Sequence, residues 1–61
     1  MKKLKDILKH FKDETIIVVY TNSFSMCYKV KKFLQDCKSF LNYDVTFIAF
    51  HNDNVAIKIK L

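Results

Sequence analysis

The apolar positions along the chain switch between helical and strand periods, and each switch marks an element. Leu4, Ile7, Leu8 and Phe11 recur at the i, i+3, i+4, i+7 spacing of one helix face. Lys2, Lys5, Lys9 and Lys12 follow the same spacing on its flank, and Asp13-Glu14 ends the pattern near Lys12. The next run, Thr15-Ile16-Ile17-Val18-Val19-Tyr20-Thr21, is β-branched and apolar on both faces. Such a run predicts a central strand covered on both sides. Thr21-Asn22-Ser23-Phe24-Ser25 is then a polar loop, in which Ser23 or Ser25 is placed to cap a second helix. Met26, Val30, Phe33, Cys37 and Leu41 give that helix an inward stripe, with Cys27 and Leu34 beside it. Asn42 serves as its stop.

Val45 to Phe50 and Val55 to Leu61 read as two strands around His51-Asn52-Asp53-Asn54. Asn and Asp tolerate positive φ, so a tight hairpin is expected without Gly. Its parity puts Ile48, Phe50, Val55, Ile57, Ile59 and Leu61 on one face, toward the second helix. Val45, Phe47, Ala49, His51, Ala56, Lys58 and Lys60 fall on the other. The predicted fold is therefore α+β, a single domain over residues 1–61 in the order α-β-α-β-β. Its sheet has three strands, the first two parallel through a right-handed crossover and the third antiparallel on the hairpin.

Composition narrows the class. Of 61 residues 51% are hydrophobic, too many for a disordered chain. The longest wholly apolar run, Ile16 to Tyr20, is far short of the roughly 18 residues of a membrane helix. No apolar segment follows the Lys-rich start, so no signal peptide and no membrane association are expected. Two thiols within one helix lie too far apart to bridge, which suits a reducing cytoplasm. Gly, Pro and Arg are absent while Lys, Asn, Ile and Phe abound, as in AT-rich coding sequence. The expected source is a low-GC bacterium or its phage.

The net charge of +5 is uneven, with +4 over residues 1–12 and +3 over residues 29–38. That distribution suits an acidic protein or nucleic acid as partner, or solubility alone.

Three surfaces follow as candidates. The hydroxyls of Thr21, Ser23 and Ser25 with Asn22 surround the expected N-terminus of the second helix, where ordinary capping is the simpler use. Here Ile17-Val18-Val19-Tyr20-Thr21, Cys27 and Lys31-Lys32-Phe33-Leu34 resemble the strand, active-site turn and helix that open the glutaredoxins. The resemblance implies a βα unit only. Phe24 stands where that family's nucleophilic Cys belongs and the chain has no Pro, so no redox function is carried over. Second, Tyr28 with Lys31 and Lys32 is expected on the outer face of the second helix. Third, Phe47 with Lys58 and Lys60 marks the mixed sheet face, which the first helix or a second copy would cover if it is not open.

No catalytic, cofactor or metal constellation can be assembled from the scattered acids, His10, His51 and the two Cys. The expected function is a non-catalytic binding protein, a phage or mobile-element accessory that docks on another protein. Tyr28, Lys31, Lys32, Phe47, Lys58 and Lys60 would supply the contacts. The alternatives are a nucleic-acid-binding protein using Lys2, Lys5, Lys9 and Lys12 on phosphates, and a structural homodimer.

Overall fold

The computed structural model describes residues 2–61. Its elements are α1 (Leu4–Leu8), β1 (Ile16–Tyr20), β2 (Ser25–Lys29), α2 (Val30–Asp36), β3 (Asp44–His51) and β4 (Asn54–Lys60), with a single 3-10 turn at Lys38–Phe40. The four strands form one mixed sheet in the order β2-β1-β4-β3. The chain is therefore α+β as expected, but with four strands instead of three and a different strand order.

The extra strand comes from a segment that carries two periods at once. Met26, Val30, Phe33 and Cys37 are helically spaced, while Met26, Tyr28 and Val30 alternate like a strand. In the structure Ser25, Cys27 and Lys29 are exposed, whereas Met26 and Tyr28 turn toward the core. The four-residue turn ahead of β2 stabilises the strand solution. Thr21 N–H donates to the Phe24 carbonyl at 2.8 Å, and Thr21 Oγ1 accepts from the N–H groups of Ser23 at 3.0 Å and Phe24 at 3.3 Å. Polar residues expected to cap a helix thus close a β1–β2 hairpin. Helix α2 begins only at Val30 and ends at Asp36, and no side chain caps its start.

Strand order is the second correction. The strand parallel to β1 is β4, with Ile17 opposite Val55 and Val19 opposite Ile57. Burial explains why β4 takes the central place. Val55, Ile57 and Ile59 are all buried on its inner side, whereas β3 carries Thr46, Phe47, Phe50 and His51, which remain exposed at an edge. A bulge between Val45 and Phe47 shifts the register, so Val45 packs against the core and not on the face that strict alternation predicts. The β3–β4 turn forms without Gly because Asn52 takes φ 52°.

Both helices cover the same side of the sheet. Leu4 and Leu8 of α1 and Val30 and Phe33 of α2 join Ile17, Val19, Ile57 and Ile59 in one core with Cys37 and Val55. The expectation that α1 could shield the second face is overturned. A five-residue helix is too short to stand alone, so its fixed place depends on Leu4 and Leu8 and on strand-like ties. Val45 N–H donates to the Lys2 carbonyl at 2.9 Å, Leu4 N–H to Tyr43 at 2.9 Å and Lys5 N–H to Leu41 at 3.0 Å. The Lys3–Asp44 ion pair, at 2.8 Å, adds to this clamp.

Candidate functional site

The outer face of the sheet follows from register alone. Residues opposite one another project to the same side, so three rows run across the four strands. One row holds Lys29, Ile16, Asn54 and His51, and the middle row holds Cys27, Val18, Ala56 and Ala49. The third holds Ser25, Tyr20, Lys58 and Phe47. Among the described residues no second layer lies over these rows, because every helical core residue packs on the opposite face. Ile16 is 37% exposed and Phe47 55%. The middle row is made of small side chains and is correspondingly flat. Four strands about 4.8 Å apart and five residues of about 3.3 Å each give a patch of roughly 300 Å2 in projection.

Electrostatics make the patch positive at one end. Lys29 is engaged by Glu14 at 2.8 Å, and the pair lowers the Glu14 carboxyl and raises the Lys29 ammonium from their ordinary pKa values, hydrogen bonding being the larger cause for each. Lys58 and Lys60 have no carboxylate at ion-pair distance among the described residues. Asp44, across from Lys60, is held by Lys3, whose hydrogen bond keeps its carboxyl below the ordinary value.

The residues expected to form one contact surface separate onto two sides of the molecule. Phe47, Lys58 and Lys60 belong together on the outer sheet face, with Phe47 directly opposite Lys58. Tyr28 does not join Lys31 and Lys32 on an outer helix face. It is a β2 residue on the inner side, half-buried, with its ring edge-on to Phe33 at 5.9 Å. Contact with Cys37, chiefly a side-chain hydrogen bond, raises its phenol above the ordinary 10.0. Lys31 and Lys32 are exposed on α2, where Lys32 pairs with Asp36 at 3.4 Å. The four-Lys stripe also breaks up. Helix α1 ends at Leu8, leaving Lys2 and Lys12 outside it, and Lys9 lies 3.9 Å from Asp6.

Cys27 sits in the middle of β2, on the outer face, and Cys37 is buried beneath the sheet; both are free. The sheet, not separation along one helix, keeps them apart. The βα unit implied by the glutaredoxin-like residues is absent, since a strand follows the turn. No three His, Cys, Asp or Glu side chains converge among the described residues. No helix there is long and apolar enough to cross a membrane.

A cleft of about 490 Å3 adjoins the positive end of the face. Its polar lining is Thr21, Asn22 and Ser23 from the β1–β2 turn, Thr46 from the bulge, and Lys58 and Lys60 from β4. Reading the sequence singled out Thr21, Asn22 and Ser23, though at a helix start that does not exist. Thr46 was not legible, because alternation carries no mark of a bulge.

Compared with known proteins, the chain matches no family model, no curated protein and no solved structure.

Proposed function

We propose that the chain is a small non-catalytic binding protein that docks its open sheet face on another protein, as an accessory factor of a low-GC bacterium or its phage. One observation carries the reading: β1 is apolar on both sides, yet only one side is covered. Val18 with Ile16 and Tyr20 is the counterpart of buried Ile17 and Val19, and it faces outward beside Ala49 and Ala56. Exposed faces with an apolar centre and a polar rim are commonly interaction sites. Phe47 supplies an aromatic anchor and Lys58 and Lys60 supply steering. The same two Lys favour an acidic partner over a second copy, whose like charges would be brought together. The source assignment rests on composition alone.

The test uses paired variants of the immobilised protein. A partner bound through the sheet face is retained by wild type and by Lys31→Ala/Lys32→Ala, and lost with Val18→Lys and with Phe47→Ala. A partner that survives both sheet-face variants and is lost with the helix variant would refute the assignment.

A further inference from the structure

The cleft at the carboxyl ends of β1 and β4 takes Lys58 and Lys60 from the proposed docking face and adds hydroxyls that the centre of the sheet lacks. These strands are parallel neighbours, so both end at one edge of the sheet. The β1–β2 turn and the β3 bulge wall the space beyond them, a cleft of about 490 Å3. Small-molecule sites occupy about 300–1,000 Å3.

Its donors are arranged for an anion. Thr21 Oγ1 accepts two backbone N–H groups, from Ser23 at 3.0 Å and Phe24 at 3.3 Å, which leaves its O–H to donate away from the turn. The Thr46 hydroxyl donates to the Lys58 carbonyl at 3.3 Å and so helps fix the strand segment bearing both ammonium groups. Among the described residues Lys58 and Lys60 have no carboxylate at ion-pair distance, and no Asp or Glu lines the cleft. Lys58, Lys60, the hydroxyls and the Asn22 amide share one lining in which no acidic side chain stands, and Asp44, across from Lys60, is taken up by its ion pair with Lys3. Charge-assisted hydrogen bonds to phosphate oxygens satisfy such a set.

The adjoining row says what the phosphate is attached to. Lys58 stands between Tyr20 and Phe47, and Phe47 is 55% exposed. Phe11, Phe24, Phe33, Phe40 and Phe50 each meet another aromatic ring, whereas Phe47 has none among the described residues. An open aromatic face beside a phosphate-binding Lys is the arrangement on which a nucleobase stacks. We infer that this cleft binds a nucleotide, with Lys58, Lys60 and the Thr21 hydroxyl on its phosphate and the Phe47 ring against its base. The nucleotide is either a free mononucleotide or one unit of a single strand.

Amide NMR spectra of the whole chain, titrated at low salt with AMP, inorganic phosphate and an oligothymidylate, test this. AMP should shift the amides of residues 21–23 and 58–60 saturably. Lys58→Gln should weaken AMP about tenfold or more, the loss of one charge-assisted contact. Phe47→Ala should weaken it about fivefold or more, the loss of one stacked base, and leave inorganic phosphate unchanged. The same spectra report whether each variant is folded. Equal affinity for AMP and oligothymidylate identifies a free nucleotide as the ligand; tighter oligothymidylate binding identifies a single strand. Absence of saturable shifts would overturn the proposal. So would shifts spread over the Lys of α1 and α2, or AMP binding indifferent to Phe47→Ala.

Discussion

Adjacent valines in the middle of β1 offer a sharp contrast, because Val18 and Val19 have the same chemistry on opposite faces of one strand. Val19 is 0% exposed in the core, while Val18 looks out between Cys27 and Ala56. A lysine at position 19 forfeits about 1.5–3 kcal/mol of side-chain burial. It also strands an ammonium group among apolar atoms, at several kcal/mol more. A domain of 61 residues has a total stability of about 3–9 kcal/mol, at about 0.05–0.15 kcal/mol per residue. Val19→Lys should therefore leave little or no folded protein. At position 18 the ammonium reaches water and the cost is about 1 kcal/mol, the span of strand preference. Urea unfolding followed by far-UV circular dichroism reads the difference. Val18→Lys should move the midpoint by about 1 M, given a slope near 1 kcal/mol/M for a chain this small, and leave the slope unchanged. If Val18→Lys unfolds the chain as Val19→Lys does, the outer face is covered in solution. If both are tolerated, the two faces are wrongly assigned.

Other consequences follow from particular residues. The bonded pairs Thr21/Phe24 and Thr15/Val30 flank the hairpin, and alternation along the ladder points the N–H groups of Met26 and Tyr28 toward β1. In hydrogen exchange these two amides should be protected and those of Ser25, Cys27 and Lys29 fast; uninterrupted protection across residues 26–29 would restore the helix. Leu8→Ala should cost about 2.7–5.0 kcal/mol, enough to release α1 or unfold the chain, and a calorimetric loss below 1 kcal/mol, well under that range, would show that α1 is not part of the core. Asp44 titrates below its ordinary 3.8, chiefly through its hydrogen bond to Lys3. A depressed carboxyl contributes stability above its unfolded value that fades as pH falls through the folded one. Lys3→Ala should therefore bring the Asp44 carboxyl back up in an NMR titration and flatten the acid limb of stability; an unmoved Asp44 would show that the clamp does not form.

Most core members were legible because they are apolar under either period. Leu4, Leu8, Val30, Phe33, Cys37, Val55, Ile57 and Ile59 point inward whether residue 26 opens a helix or a strand. The type of element over residues 25–29 was not legible, since Met26, Tyr28 and Val30 satisfy one period and Met26, Val30 and Phe33 the other. The hydrogen bonds of the Thr21 side chain, a local turn preference, decide between them. Strand order likewise depends on a comparison the pattern does not rank, namely how completely β3 and β4 bury their inner sides. Phe47, Lys58 and Lys60 were placed together because hairpin parity is robust, and the bulge displaced Val45 but not these three. Tyr28 was misplaced for the same reason that β2 was missed.

The most direct measurement of which face acts is site-specific photocrosslinking in cells of the source organism. The benzophenone amino acid would replace Val18, Phe47 or, on the opposite side of the molecule, Gln35. Discrete protein adducts are expected from positions 18 and 47 and none from position 35. Adducts from position 35 alone would move the working surface to α2 and contradict the assignment of function to the open sheet face.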